Sequence, residues 1–181
     1  GWRGRARGGH GRGGGGRVDL DGPVATYWPE CAQQGKAETT GRQLISHQAG
    51  LPAVRRTLPR EALFDWDQMT DELAAERPWW APGTKHGYHA LTFGWLVGEV
   101  GRRITGQSLG TYFAKELAEP LGADFVIGFG PDLDERVAPL VQGPIVVDEG
   151  EISMFEEILK NPESMTARAF NNPPLLGTEL P

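Results

Sequence analysis

Few of the 181 residues have types and spacing that could do chemistry, and Tyr88 is the strongest of them. It stands directly after the loop WWAPGTKHG, residues 79–87. Pro78 and Pro82 exclude helix there, and Gly83 admits backbone angles that other residues avoid, so the loop reads as rigid. A tyrosine held beside a lysine has its pKa lowered enough to relay a proton, and a position after such a turn would aim its hydroxyl into a cleft. The other reading is packing, with the ring opening a buried helix and the hydroxyl bonded to backbone. The remaining candidates are weaker. Ser46 and His47 are adjacent, and neighbours on a helix point about 100° apart, which makes a poor nucleophile–base pair; they read as helix-end residues satisfying backbone groups. None of the four serines (Ser46, Ser108, Ser153 and Ser164) has a lysine three residues on. His86 and His89 are separated by two residues, without a carboxylate at ligand spacing, and His10 does not complete a set, so neither metal nor cofactor is expected. Cys31, the single cysteine, forms no internal disulfide and reads as an ordinary thiol.

Helical signals surround the tyrosine. Phe93, Val97, Val100 and Ile104 recur at steps of four, three and four, predicting one apolar helix face with Leu96 beside it and Gly106 as C-cap. Gly94, Gly98 and Gly101 line a second face, where each glycine costs roughly 1 kcal/mol relative to alanine, which predicts close approach by a neighbour. Thr40 and Gln43 form a capping box that opens a short helix. Residues 65–76 predict another helix, with Trp66, Met69 and Leu73 on one side and Pro78 stopping it. Ser108 caps a helix in which Leu109, Tyr112, Phe113 and Leu117 face inward and which Pro120 ends. ADFVIGF, residues 123–129, has the content of a short strand. Further on, PDLDERVAPL and PIVVDE read as extended segments, Ser153 with Glu156 as a helix cap, and Pro162 as the first position of a last helix.

Composition adds boundaries. At 39% hydrophobic residues, there is material for one domain with a core, and no run approaches the roughly 18 apolar residues of a membrane span. A soluble protein without a visible signal peptide is expected. Residues 1–17 hold nine glycines, five arginines and no acid. They cannot bury a core, and they read as a disordered tail, as a segment out of the native frame, or as an arm for RNA or phosphate. Residues 18–181 then carry 13 basic against 24 acidic residues, a balance of -11, so the body does not attract nucleic acid through its general field.

The stretch PGTKHGYHALTFGWLVGEVGRRITGQSLGTYF resembles the second motif block of the serine β-lactamase-like hydrolases, the group of class C β-lactamases, penicillin-binding proteins and esterases. There a PGT loop leads into Tyr-x-Asn and then a buried helix ending in TG. Here the triplet is Tyr88, His89 and Ala90, with Ala90 where many members carry Asn, as in esterase-like branches. The resemblance extends back through RVDLDGPVATYWPE and TTGRQLISHQAGLP and on through FAKELAEPLGADFVIGF, covering about residues 17 to 130.

This resemblance implies an α+β fold, present as a helix-rich portion of the β-lactamase-like (transpeptidase-like) architecture with little sheet, spanning residues 18–181. It implies a serine hydrolase acting through an acyl-enzyme on a small ester or amide, with Tyr88 in the catalytic tyrosine position and His89 and Ala90 at the substrate-binding side. Ala90 in place of Asn favours small esters over β-lactams by analogy. The family's Ser-x-x-Lys helix would fall across residues 1–17 or ahead of Gly1, and its Lys-Thr-Gly-like strand has no match before Pro181. The chain by itself is therefore expected to be catalytically incomplete. The alternative is a non-catalytic relic or an interaction module.

Overall fold

The computed structural model describes residues 18–139 and 158–174. The regular structure among them is helical, and the only β pairing is one isolated antiparallel bridge between Pro23 and Thr40. The segments expected to be extended at 144–149 and capped at Ser153 lie outside the described residues, as does the Gly/Arg-rich segment 1–17. No helix among the described residues is long and apolar enough to cross a membrane.

The chain enters through two 3-10 turns, Val24–Thr26 and Pro29–Ala32, which bury Val24, Trp28 and Cys31. Helix α1, Gly41–Ile45, starts at the predicted capping box: the Thr40 side chain accepts from the Gln43 N–H, and the Gln43 side chain accepts from the Thr40 N–H. Helix α2, Trp66–Ala75, is capped by Asp65 and sends Met69 and Leu73 into the core. Its C-terminal carbonyls are satisfied from elsewhere: buried Lys36 donates through Nζ to Ala74 O at 3.0 Å and also to Glu76 O. Helix α3, Thr92–Thr105, ends at Gly106 in the left-handed conformation at φ +71°.

The face that α3 buries is not the one apolar spacing predicts. Thr92, Leu96, Gly98 and Glu99 are buried, whereas Val97 and Val100 are only partly buried against the core. Glu99, at 0% exposure, is the reason. Its carboxylate accepts from Trp66 Nε1 at 2.8 Å, Arg102 Nε at 2.7 Å and Arg103 Nε at 2.7 Å. Arg103 reaches on to Glu30 at 3.0 Å, so one buried acid ties α3 to α2 and to the entry turns. Burial alone would raise the Glu99 carboxyl, but these hydrogen bonds outweigh it and hold the pKa below its ordinary value. The glycine argument holds at one position of three: a Cβ on Gly98 would come within 2.6 Å of the Trp66 ring, while Gly94 and Gly101 face open space.

Helix α4, Leu109–Phe113, runs through a π turn, Ala114–Ala118, into α5, Glu119–Leu121. Pro120 therefore sits within the helical run instead of ending it, and Gly122 at φ +61° closes it. Leu109 and Leu117, expected inside, are exposed. No strand forms at 123–129, because no second strand among the described residues offers it backbone partners. The segment instead lies along α4, with the Phe113 and Phe125 rings edge to face at 5.3 Å. Pro131–Arg136 is a 3-10 turn where an extended segment was expected. A groove of about 740 Å³ opens between α2, α3 and α4, walled by Trp66, Leu91, Trp95, Leu109 and Ile127.

The last helix, α6, Met165–Asn171, begins after Ser164, whose side chain accepts from the Ala167 N–H, so its start lies beyond Pro162. Behind it, buried Asn172 fills three bonds to one early loop: it accepts from Leu58 N–H at 2.9 Å and donates to Val54 O at 2.7 Å and Arg56 O at 2.8 Å.

Replacing Glu99 by Gln removes the charge that organises both arginines while leaving a buried amide. We expect a stability loss of about 2–3 kcal/mol in urea denaturation, short of the value for a fully buried pair because Arg102 and Arg103 can turn to water. A loss below about 0.5 kcal/mol would mean that the carboxylate is incidental to the packing.

Candidate active site

Two loops that lack any sheet build the surroundings of Tyr88, and each must find partners for its buried backbone groups. They find them in one another. Trp79 N–H donates to Gly50 O at 2.7 Å, Gly83 N–H to Gln48 O at 2.9 Å and Gly87 N–H to His47 O at 3.2 Å. Tryptophans lock the pairing from the side: Trp79 Nε1 donates to Ala53 O at 2.8 Å, and Arg55 lies 4.0 Å over the Trp79 ring centre. Gly50 (φ +75°) and Gly83 (φ +82°) both need left-handed backbone. Gly87 is required for another reason, since a Cβ there would stand 2.5 Å from the Trp80 ring.

On this platform Tyr88 is 62% exposed, and its hydroxyl makes no hydrogen bond among the described residues. The ring is held edge-on to His47 at 5.2 Å, and His47 in turn packs on Phe93 of α3 at 4.6 Å. The phenol is thus fixed at its base and free at its tip, the disposition a proton carrier needs and a packing tyrosine does not.

His89 is the opposite case. It is wholly buried, with Nε2 accepting from Leu51 N–H at 3.0 Å and Nδ1 on Gly87 O at 2.7 Å. Both ring nitrogens are thereby occupied, which leaves the imidazole as a strut between the two loops without a free polar atom to offer a ligand. Burial pushes its pKa down to about 4, against the Gly87 carbonyl, which favours the charged form. Ala90 is half-buried in the turn leading to α3, whose Thr92 hydroxyl donates to Leu51 O at 2.6 Å.

Other candidates resolve into structural roles. Ser46 Oγ donates to Arg42 O at 2.8 Å, as a helix-end serine does. Residues 106–110, Gly-Gln-Ser-Leu-Gly, carry the Gly-x-Ser-x-Gly spacing of a nucleophile elbow. An elbow sits between a strand and a helix, whereas Ser108 sits between α3 and α4 as an N-cap, accepting from Thr111 N–H at 3.1 Å. Cys31 is buried, and burial pushes its thiol up to about 11, far from the thiolate a nucleophile requires. No group of three or more His, Cys, Asp or Glu among the described residues could hold a metal ion. Sequence reasoning missed Lys36 and the contact of His47 with Tyr88. Lys36 lies in a turn that reads as solvated, and the His47 contact joins residues 41 positions apart.

A rigid PGT loop, an exposed tyrosine and a buried helix after it are the elements of one family, and residues 14–157 match that family, Beta-lactamase, directly. The chain belongs to the Beta-lactamase family. Esterase/beta-lactamase LipL of Mycobacterium tuberculosis is 42% identical over 128 residues, covering 70% of this chain and 29% of LipL. A penicillin-binding-protein homologue from Caulobacter crescentus superposes with a TM-score of 0.69 at 40% identity, over 76% of this chain and 37% of its own. A family VIII carboxylesterase does so with a TM-score of 0.67 at 46% identity, over 69% of this chain and 35% of its own. The chain therefore spans about a third of the length of these relatives, and its helices form a helix-rich part of the β-lactamase-like fold.

The buried imidazole makes stability depend on pH. Unfolded His89 titrates near its ordinary 6.5 and folded His89 near 4, so the native state refuses a proton that the unfolded state accepts between those values. Stability is full above about pH 6.5 and falls as pH drops towards 4, by on the order of 3 kcal/mol in total. His47, also lowered by burial, adds in the same direction, whereas Glu99 contributes its loss only below its unfolded value of 4.5. Urea midpoints measured from pH 7.5 to 4.5 should therefore decline for the native chain, and the decline should shrink in His89→Gln. A flat native profile would contradict the neutral, bonded imidazole.

Proposed function

We propose that this chain is part of a serine hydrolase that cleaves small esters through an acyl-enzyme, with Tyr88 carrying protons to and from a nucleophilic serine supplied by Ser-x-x-Lys outside these residues. The observation that carries this reading is the exposed, unbonded hydroxyl of Tyr88 on a ring fixed by His47. Membership of the Beta-lactamase family supports it, as does similarity to proteins described as an esterase/beta-lactamase and a family VIII carboxylesterase. In this reading residues 18–181 are a partial catalytic domain and residues 1–17 a tail or a segment outside the native frame. His89 acts from beneath the site by holding the loops together, and Ala90 borders the substrate, where a small residue in place of an amide favours esters.

The chemistry assigned to these residues is limited and specific. As the phenolate, a tyrosine can accept the proton of an attacking hydroxyl, and as the resulting phenol it can give that proton to a leaving alkoxide, but it cannot replace the nucleophile. The 181 residues alone should therefore hydrolyse nitrophenyl esters at no enzymatic rate and take up no fluorophosphonate probe, since loss of the nucleophile removes about a millionfold of rate. Probe labelling at Ser46, Ser108, Ser153 or Ser164 that disappears in Tyr88→Phe would reveal a nucleophile in the chain and overturn this division of labour. In a protein carrying this segment together with Ser-x-x-Lys, Tyr88→Phe should lower kcat by about 10²–10⁴-fold with little change in stability. An unchanged kcat would favour the alternative, in which the segment is a relic or an interaction module.

A further inference from the structure

His47 has a part in the site that neither its neighbour Ser46 nor the family likeness assigns. The two peptide N–H groups that flank Tyr88 in the chain both end on this one residue. Gly87 N–H donates to the His47 carbonyl at 3.2 Å, and His89 N–H donates to the His47 ring at Nδ1, also at 3.2 Å. The same ring then stands edge-on to the Tyr88 phenol at 5.2 Å. To present its carbonyl and its ring together, His47 adopts φ +59°, a left-handed conformation uncommon outside glycine and costly for most side chains.

We propose that His47 is the positioning residue for Tyr88, clamping the peptide on both sides of the tyrosine so that the phenol projects from a fixed base. This rests on the reading of Tyr88 as the proton carrier. The clamp has a chemical condition. Nδ1 can accept from His89 N–H only while it carries a lone pair, so the ring must be neutral with its proton on Nε2. A second proton turns Nδ1 into a donor facing another donor, and the His89 half of the clamp opens while the Gly87 half, made by a carbonyl, persists. The titratable groups that face His47 are His86 at 6.0 Å, Tyr88 and His89, and no acid among the described residues forms an ion pair with it. Burial lowers the His47 pKa, and the nearby His86 acts in the same direction. The neutral, clamped form is therefore the resting one at neutral pH.

Two substitutions separate the clamp from general stability, because both tolerate the left-handed backbone. His47→Asn keeps an acceptor one bond beyond Cγ, where Nδ1 stands, and His47→Gly removes it while leaving the carbonyl. Amide hydrogen exchange at Gly87 and His89, corrected for its intrinsic pH dependence, reads the two halves directly in this chain. We expect His89 protection to fall about three- to tenfold in His47→Gly and to be restored in His47→Asn, with Gly87 changing less. In the native chain His89 protection should drop relative to that of Gly87 as the His47 imidazole titrates, and in His47→Asn that extra drop should vanish, leaving only the fall the two amides share through His89 itself. Retained His89 protection in His47→Gly, or the same extra drop in His47→Asn, would overturn the clamp. In a protein that also carries the nucleophile, His47→Gly should lower kcat with KM unchanged and His47→Asn should recover it. If the exchange results hold but Tyr88→Phe leaves kcat intact, the clamp survives and the proton-carrier reading of Tyr88 falls.

Discussion

Irregular backbone can be buried only if every peptide group finds a partner, and the whole neighbourhood of Tyr88 depends on how two loops meet that demand. Residues 47–50 supply acceptors for the N–H groups of Trp79, Gly83, Gly87 and His89, and His89 returns an acceptor to Leu51. The result has the connectivity of a strand pairing without its geometry. Three of these acceptors are carbonyls and the last is the His47 ring nitrogen, and across that change Tyr88 stands exposed while His89, one residue on, lies fully inside. Two neighbouring side chains are thus fixed in opposite environments without a strand among the described residues.

A second device sits on the other side of α3. Glu99 is a buried carboxylate whose acceptor capacity is taken up by Trp66, Arg102 and Arg103, and the arginines extend to Asp67 and Glu30. Trp66 and Asp67 belong to α2, Arg102 and Arg103 to α3 itself and Glu30 to the entry turns, so the acid ties these three parts of the fold together. Hydrophobic packing of Leu96, Met69 and Leu73 supplies the driving force, and Glu99 selects one arrangement of it.

Local signals in the sequence translated well. The capping box at Thr40, the stop at Gly106 and the cap at Ser108 each depend on a few adjacent residues, and each is where the sequence places it. Signals that depend on distant residues did not translate. Apolar periodicity favoured Val97 and Val100 on α3, while Thr92 and Glu99 are as fully buried as Leu96, polar groups that become internal because Leu51 and Trp66, far along the chain, help to satisfy them. Residues 123–129 have strand composition, but composition carries no information about whether a second strand lies alongside. Tyr88 was legible as a candidate from the loop before it. His47 was legible only as a helix-end residue, since its left-handed backbone and its bond to His89 leave no trace in its own neighbourhood. The family pattern places the PGT loop and the tyrosine in order, yet it says nothing about which side chain fixes the tyrosine's peptide.

The three bonds of Asn172 carry a consequence for how the chain is made. Their partners, Val54, Arg56 and Leu58, leave the ribosome long before it: Leu58 is 114 positions and Val54 118 positions earlier. At about 5–20 residues per second, the early loop waits roughly 6 to 23 seconds for the residue that completes it. During that interval its two carbonyls and one amide can bond only to water, so the loop stays open and the pocket for Leu58 stays unsealed. The core itself, from Val24 to Leu96, is synthesised well before, so Asn172 acts as a late fastening on a core whose members are already made.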